Sequence, residues 1–311
     1  MSNLKIAVIG IGATGSVLGA ALLSKQPGTV LVVPRHLLRE KILTTGLHIS
    51  GTLSYRVPVR HVVASIAELK TMVPDIIFLC TKTFNLTDVL DEIEDVFQPG
   101  MKIVSTHNGL GTEDVIADRF GVGAALRMTL NYGATVKEPG EVETAFFNKP
   151  NHLGAMTADN GEVGVQIADL LTSCGLDTQY VDDIKLSVWK KMVMKCTMAS
   201  ICAVTNKTIK EALDFPPTRE VAEVCFREAL SVAQAMGYDL GAEYLTQAIG
   251  YLEKVGVHKD SMCHDIANHS PTEIDFLGGK VVEYARLKGV PVPFYIVMTN
   301  LVKAIEDNSR R

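Results

Sequence analysis

A glycine-rich turn near the N-terminus constrains the fold more than any other stretch of this chain. In "AVIGIGATGSVLGA", Gly10, Gly12 and Gly15 form a G-x-G-x-x-G pattern directly after an apolar run and at the start of a helical one. Gly10 permits a tight turn, Gly12 lets the backbone approach a pyrophosphate, and Gly15 lets helix and strand pack closely. Because a helix N-terminus offers N–H groups and a positive dipole end to phosphates, this context predicts dinucleotide binding; the alternative is a purely structural turn.

Length and composition narrow the class of protein. The 311 residues exceed the usual size of a single core, so we expect two domains, and 47% hydrophobic with 21% charged residues is typical of a globular protein. A formal charge of −5 is not typical of a protein that binds nucleic acid or an anionic membrane through positive charge. No run approaches the ~20 apolar residues that cross a bilayer, and "MSNLKIAVIGIG" is typical of a strand and turn rather than a signal peptide. The six cysteines form no C-x-x-C pair, which favours buried reduced thiols over a metal site or disulfides. We expect a soluble cytoplasmic protein without bound metal.

The two halves of the chain differ in pattern. Up to about residue 182, short β-branched runs alternate with helical patterns, which indicates βαβ units and a parallel sheet. The strand candidates are "LKIAVIG", "TVLVVPR", "DIIFLC", "KIVSTHNG", "GEVETAFF" and "NHLGAM". Beyond that point helical periodicity dominates, over residues 184–213, 219–236, 240–254 and 272–288. We predict an α/β fold with an N-terminal doubly wound sheet over residues 1–182 and an all-helical C-terminal domain over residues 183–311.

The end of the second strand candidate bears on the choice of cofactor. An NAD site usually has Asp or Glu about 20 residues after the glycine motif, where it holds the ribose 2′-hydroxyl. This chain has Arg35 there, in "VVPRH", and no acid before Glu40. Arginine suits a 2′-phosphate through charge-assisted contacts, which favours NADPH; the alternative is a solvated surface arginine.

Two further loops follow predicted strands, where ligands lie in such folds. Lys82 follows "DIIFLC", and Asn108 follows "KIVS" with an amide that both donates and accepts. Taken alone, Asn108-Gly109 is also typical of a plain turn.

Two lysines lie within an apolar helical stretch of the second half, "SVWKKMVMKCTMAS". Lys191, Lys195 and Ala199 recur every four residues and therefore share one helix face, whereas Lys190 points elsewhere. Downstream, "KDSMCHDIANHSPTEIDFLGG" adds Ser261 and several acids, for which a solvated helix N-terminus is the alternative reading.

Motifs along the whole chain match one protein family. They are "GIGATG", the Arg35 position, "TKTFN", "HNGLG", "EPGEV", "WKK", "DSMCHDI", "TEIDFLGG" and "GVPVP". The chain resembles the ketopantoate reductase (2-dehydropantoate 2-reductase) family from end to end, and the spacing between Ser261 and Glu273 is the most specific mark. The resemblance implies a Rossmann-type N-terminal domain, NADPH as cofactor and reduction of the 2-oxo acid ketopantoate to pantoate.

The resemblance also implies roles for individual residues. Those expected to bind the cofactor are Gly10, Ile11, Gly12, Ala13, Thr14, Gly15, Arg35, Lys82, Asn108, Ala134 and Glu273. Those expected to contact the substrate are Asn108, Asn206 and Ser261. Ser261 would meet the substrate carboxylate, and the spacing before Asn206 differs from the family pattern. Lys191 matches the proton donor, and Glu273 matches the carboxylate that organises cofactor and substrate.

The chemistry of a hydride transfer suits these residue types. As a 2-oxo carbon receives hydride, its oxygen develops negative charge, which a nearby ammonium stabilises and then protonates. Partial burial and a carboxylate such as Glu273 would adapt Lys191 to this role. A second reading is a related NADP-dependent 2-hydroxy acid dehydrogenase that acts on a different 2-oxo acid. Retention of Lys191, Ser261 and Glu273 argues against a third reading, a non-catalytic NADP-binding sensor.

Lys195 and Ala199 depart from the family pattern, which usually has asparagines at these two positions. One hypothesis is that Lys195 faces the substrate and that the substrate is a different, more acidic 2-oxo acid. The alternative is that Lys195 extends into solvent and ketopantoate is still used. A homodimer through the helical domain is a further expectation, because long apolar helices such as 219–236 often pair.

Overall fold

The computed structural model describes residues 4–310 and divides them into two units. The first unit holds residues 4–107 and 112–184, and the second holds residues 108–111 and 185–310. The short segment Asn108–Gly111 thus belongs with the second unit, although it lies within the first half of the chain. The functional boundary after residue 182 stays a prediction.

The first unit contains all twelve strands of the described residues. They are β1 (Ile6–Ile9), β2 (Val30–Val32), β3 (Leu47–Gly51), β4 (Tyr55–Val57), β5 (Val62–Val63), β6 (Ile76–Leu79), β7 (Lys102–Ser105), β8 (Ala125–Thr129), β9 (Tyr132–Glu138), β10 (Glu141–Phe147), β11 (Asn151–Ala155) and β12 (Thr178–Tyr180). Its helices are α1 (Ala13–Lys25), α2 (His36–Thr45), α3 (Leu86–Glu94), α4 (Thr112–Phe120) and α5 (Gly161–Ser173).

Eight strands form one sheet in the order β12-β11-β8-β7-β6-β1-β2-β5. Its paired strands run parallel, except that β11 is antiparallel to β8. Strand β1 lies between β6 and β2, and all four of its residues are buried, as expected of a parallel strand covered on both faces. The six strand candidates are confirmed, and so is the α/β class with a Rossmann-type sheet.

A second, four-stranded sheet in the order β4-β3-β10-β9 was not predicted as a separate layer. Strand β10 pairs with β3 in parallel and with β9 antiparallel, so it joins segments about a hundred residues apart. Leu47, Ile49 and Val142 from this sheet are buried in the same core as Leu18 and Leu22 of α1. Both sheets therefore contribute to one hydrophobic cluster on the α1 side of the first unit.

The second unit is helical. Its α-helices are α6 (Ile184–Thr205), α7 (Ile209–Asp214), α8 (Pro216–Ala235), α9 (Tyr244–Val255), α10 (Ser261–Ala267), α11 (Gly278–Lys288) and α12 (Pro293–Arg310). The predicted stretch 184–213 is two helices, since Asn206 adopts a left-handed φ of 56° after α6. The stretch 272–288 starts as a 3₁₀ turn and becomes α-helical at Gly278.

Helix α8 packs inside the second unit and anchors α12. Its buried face includes Phe226, Ala229 and Val232, so these residues are not available to a partner chain. The carboxylate of Glu228, only 9% exposed, accepts the backbone N–H groups of Phe294 and Tyr295 at 3.0 and 2.9 Å. Glu228 of α8 thereby accepts hydrogen bonds from backbone N–H groups at the start of α12, where N–H groups have no acceptor within their own helix.

Among residues 4–310, no helix is both long and apolar enough to cross a membrane. Five of the six cysteines are buried and Cys80 is half-buried. Burial raises the pKa of the Cys80, Cys196 and Cys225 thiols to about 12, so these thiols stay protonated in neutral solution.

Candidate active site

The turn between β1 and α1 is shaped by its glycines in two different ways. Gly10 has a φ of +94°, and a Cβ there would lie 2.6 Å from the backbone nitrogen of Thr81. A Cβ at Gly15 would lie 2.0 Å from the carbonyl oxygen of Gly10, so helix and strand touch at this point. A Cβ at Gly12, by contrast, would meet no atom within 4 Å, and the space beside this residue is open.

The N-terminus of α1 fits a dinucleotide pyrophosphate. Its N-cap is Gly12, which offers no side-chain oxygen, and no acidic residue occupies the first turn. The first helical bond runs from the N–H of Ser16 to the carbonyl of Gly12, so the N–H groups of residues 13–15 precede it. Open space, uncapped N–H groups and the positive end of the helix dipole are what a phosphate requires. The turn residues therefore fit the group that the sequence predicts.

The carboxyl end of β2 is basic. Arg35 ends the connection from β2 to α2, and its side chain is exposed. One turn later, Arg39 donates to the carbonyl oxygen of Val33 at 3.1 Å, which keeps a second guanidinium beside this strand end. The first acid, Glu40, lies 3.5 Å from the His36 ring at an exposed position. The strand end thus presents cations where an NAD site would present a carboxylate.

The two other cofactor residues predicted for this unit lie on neighbouring elements. Lys82 is half-buried and follows β6, and since β6 and β2 flank β1, it lies on the same sheet edge as Arg35. Ala134 lies in β9, two residues after Tyr132, whose hydroxyl donates to the carbonyl oxygen of Thr14 at 3.2 Å. Strand β9 of the second sheet therefore contacts the glycine turn.

Sequence reasoning missed a buried polar network at the end of β7. The side chain of Arg127, in β8, is fully buried and donates to the carbonyl oxygen of His107 at 2.6 Å. It also donates to the hydroxyls of Ser105 and Thr112, at 2.7 and 2.6 Å, and its Nε lies 3.5 Å from the Glu113 carboxylate. The available signal was a lone arginine within an apolar strand, "ALRMT", since a fully buried charge requires partners.

His107 itself is part of this network. Its Nδ1 lies 3.0 Å from the Ser105 hydroxyl, and its Nε2 lies 3.2 Å from the Thr81 hydroxyl. Burial and the neighbouring Arg127 guanidinium lower the pKa of His107 to about 3. The imidazole is therefore neutral in neutral solution, immediately before Asn108 in the chain.

In the second unit, two predicted site residues meet. The ammonium of Lys191 donates to the side-chain oxygen of Asn108 at 2.7 Å, although the two are separated by 83 residues. The backbone N–H of Leu110 donates to the carbonyl of Phe276 at 2.9 Å, which anchors the segment carrying Asn108. The structure thus places the predicted proton donor against the predicted nicotinamide and substrate contact.

Lys195, one turn beyond Lys191, forms an ion pair inside the second unit. Its ammonium donates to both carboxylate oxygens of Asp260, at 2.8 and 2.6 Å, and to the Ser261 hydroxyl at 2.9 Å. The side chains of Lys195 and Asp260 are only 16% and 7% exposed, so Lys195 does not extend into solvent. Burial lowers the pKa of Lys195, but the charge and hydrogen bond of Asp260, together with smaller contributions from Glu273 and Cys196, outweigh burial and raise that pKa above its ordinary value. Lys195 is therefore a stable cation.

Glu273 and Asn206 are the remaining predicted site residues of the second unit. Glu273 is half-buried at the start of the 3₁₀ turn, and its negative charge helps to raise the pKa of Lys195. Asn206 is exposed, and its side-chain oxygen accepts from Lys259 at 2.7 Å. Its left-handed backbone, which asparagine tolerates, suits the residue just after a helix and explains Asn206 without a ligand. Its substrate contact stays a prediction.

Comparison with known proteins identifies the family. The family described as ketopantoate reductase PanE/ApbA matches residues 6–158, and its C-terminal counterpart matches residues 183–306. The chain belongs to the ketopantoate reductase family. It is therefore an oxidoreductase.

Curated relatives agree with this family. A 2-dehydropantoate 2-reductase of Streptococcus pyogenes serotype M1 is 32% identical over 238 residues, which cover 76% of this chain and 77% of the relative. The 2-dehydropantoate 2-reductase of Pyrococcus horikoshii is 28% identical over 306 residues, 98% of each chain. The ketopantoate reductase family thus spans both units.

Solved structures share the fold. A D-mandelate dehydrogenase, solved with NADH and anilino(oxo)acetate, has a TM-score of 0.89 at 25% identity, over 98% of this chain and 99% of that one. A 2-dehydropantoate 2-reductase from Geobacter metallireducens also has a TM-score of 0.89, at 23% identity, over 97% of this chain and 99% of that one.

Proposed function

We propose that this chain reduces a 2-oxo acid to the 2-hydroxy acid with NADPH, and that the first candidate reaction is ketopantoate to pantoate. The curated relatives named 2-dehydropantoate 2-reductase support this substrate. The observation that carries the proposal is the 2.7 Å contact between Lys191 and Asn108, in a chain that also has an open glycine turn for a dinucleotide.

Each site residue has a role in this proposal. The nicotinamide, when bound, supplies hydride to the 2-oxo carbon. Lys191 stabilises the negative charge on the carbonyl oxygen through its Nζ and then donates the proton from that atom. Asn108 holds the Lys191 ammonium by accepting one of its hydrogen bonds, which restricts where the remaining protons point. Ser261 contacts the substrate carboxylate, and Glu273 organises the charged groups around it.

NADPH rather than NADH is part of the proposal because of the charges at the end of β2. Arg35, with Arg39 beside it, offers guanidinium groups to a 2′-phosphate, and no carboxylate precedes Glu40 for a 2′-hydroxyl. Lys82 on the same sheet edge would add a third cation. The D-mandelate dehydrogenase solved with NADH makes NADH the competing cofactor to test.

A second candidate is the reduction of a different 2-oxo acid. The likeness to D-mandelate dehydrogenase favours it, and so does the loss of both family asparagines at Lys195 and Ala199. Ala199 is fully buried, and the charge of Lys195 is balanced by Asp260. Lys195 therefore gives no support to a more acidic substrate, and it leaves the side chain of the 2-oxo acid as the variable to screen.

Two assignments of the larger parts belong to the same proposal. Residues 1–182 bind the nucleotide, and residues 183–311 bind the substrate and form a homodimer. Helix 219–236, from which the sequence predicts a dimer, buries its apolar face in its own unit. The exposed Phe294, Val297 and Leu301 of α12 support the dimer instead, because they recur at helical spacing.

The experiment is a turnover assay that follows NADPH or NADH absorbance with ketopantoate and a panel of other 2-oxo acids. We expect reduction of at least one acid, faster with NADPH, and a loss of about 100-fold or more in kcat for Lys191→Met, the usual size of general-acid catalysis. Lys190→Met is the matched control, because Lys190 is exposed on the same helix. Unchanged kcat in Lys191→Met contradicts the role of Lys191. Tight NADPH binding without turnover of any acid would instead favour a sensor.

A further inference from the structure

The Lys195 ammonium lies among three acceptor atoms of two neighbouring residues. Its Nζ is 2.8 and 2.6 Å from the Oδ1 and Oδ2 atoms of Asp260 and 2.9 Å from the Oγ atom of Ser261. An ammonium has donors and no acceptor, so Lys195 donates to both residues. These hydrogen bonds hold the ammonium against Asp260 and Ser261.

Asp260 is fixed independently of Lys195. It is the N-cap of α10, and its Oδ1 accepts the backbone N–H of Met262 at 2.9 Å. Because Asp260 is held by the helix that begins at Ser261, the ion pair locks the lysine ammonium at a defined place beside that helix. The ammonium is therefore positioned by the N-cap residue of α10 and by helix α6, which carries Lys195.

Ser261 is the member of this group that a ligand can reach. It is exposed, whereas Lys195 and Asp260 are nearly buried. Its Oγ accepts from Lys195, so its hydroxyl proton points away from the ammonium, and among residues 4–310 no acceptor takes that proton. A hydroxyl that accepts from a cation is also polarised into a better donor.

We infer that Lys195 and Asp260 form a neutral positioning pair that fixes the Ser261 hydroxyl as a hydrogen-bond donor to the carboxylate of the 2-oxo acid. The inference rests on the proposed function and adds a specificity device to it. Lys195 acts through Ser261 and not by touching the substrate, so it is a positioning residue. Because the pair carries no net charge, we expect it to act on the substrate only through the hydrogen bond that Ser261 donates to the substrate carboxylate.

The pair explains how a lysine is tolerated where the family usually has an amide. An unpaired buried cation would be costly, and it would attract any second acidic group on a substrate. With Asp260 as its partner, Lys195 is balanced in charge and still donates a hydrogen bond to Ser261. We therefore expect monocarboxylic 2-oxo acids to be preferred over dicarboxylic acids of the same length.

The test is a double-mutant cycle between positions 195 and 261, assayed with the best 2-oxo acid of the panel. We expect Lys195→Met to raise KM about 10-fold and to change kcat by less than about 3-fold, as for an interaction that binds substrate and transition state alike. In the Ser261→Ala background, we expect the same Lys195→Met change to alter KM by less than about 2-fold. Lys190→Met, on the exposed side of the helix, should leave KM unchanged in both backgrounds.

A second variant separates positioning from folding. Lys195→Met leaves the Asp260 carboxylate unpaired, so the Lys195→Met/Asp260→Asn protein is made as well, in which asparagine preserves the N-cap. The same KM increase in this double variant, which leaves no unpaired charge and whose folding is checked by its melting temperature, supports the inference. Additive effects of Lys195→Met and Ser261→Ala, or an unchanged KM in Lys195→Met, overturn it while the proposed function stands. Failure of the wild-type protein to reduce any 2-oxo acid overturns the proposed function and this inference with it.

Discussion

The buried His107 predicts how the stability of the protein depends on pH. In the folded protein its pKa is about 3, whereas an unfolded histidine has a pKa near 6.5. Between these values the unfolded chain binds a proton that the folded chain cannot bind. The free energy of unfolding therefore falls as the pH falls from about 6.5 toward 3. The fall approaches about 1.4 kcal/mol per pH unit well below pH 6.5 and amounts to roughly 2 kcal/mol on going from pH 7 to 5.

His107→Gln removes this titration and should flatten the pH dependence. Glutamine loses contacts at every pH, so the variant is less stable at pH 7, but the gap to wild type should narrow by about 2 kcal/mol at pH 5. Urea unfolding followed by far-ultraviolet circular dichroism at several pH values measures the free energy directly. His61→Gln, at an exposed position, is the control and should keep the wild-type slope. Parallel pH curves for wild type and His107→Gln would refute the assignment of a buried, neutral imidazole.

Two other predictions concern single contacts. Gly15→Ala should destabilise the protein by about 1–3 kcal/mol because the added Cβ would meet the carbonyl oxygen of Gly10. Gly12→Ala, which adds a Cβ in open space, should keep the wild-type melting temperature but weaken NADPH binding about 10-fold or more, with binding measured by calorimetry. Loss of stability in Gly12→Ala with intact binding would contradict this division. Glu228→Gln should lower the free energy of unfolding by about 1–3 kcal/mol because it weakens two hydrogen bonds at the start of α12. The fluorescence of Trp189, the one tryptophan of the chain, reports this in the second unit, and Glu220→Gln, exposed on the same helix, should have no effect.

Local sequence patterns predicted the central sheet and the glycine turn well, because strand burial and turn geometry are set within a few residues. Gly15 is an example, since the atom that excludes a side chain there belongs to Gly10 of the same motif. The small second sheet was missed as a layer because β10 and β3, which pair in it, are distant in sequence. Their pairing is decided by a shared core and not by either segment alone.

The candidate site shows the same division between local and distant information. Helical spacing correctly placed Lys191 and Lys195 on one face, but it gave no partner for either, because Asn108 and Asp260 lie 83 and 65 residues away. The choice between a solvated and a substrate-facing Lys195 was open for this reason, and the structure adds a third arrangement. Arg127 was overlooked because its acceptors, Ser105, His107 and Thr112, lie 15 to 22 residues earlier in the chain, in another strand and the segment that follows it.

The short segment Asn108–Gly111 has a consequence for protein engineering. It is grouped with the helical unit, where Asn108 meets Lys191 and Leu110 bonds to Phe276. A chimera that joins the N-terminal half of this chain to the helical half of another family member, at one crossover near residue 184, would separate these four residues from Lys191 and Phe276. Transplanting substrate preference between relatives therefore calls for two exchanged pieces, the helical half and this tetrapeptide, and a single-crossover library should be depleted of active members relative to one that exchanges both.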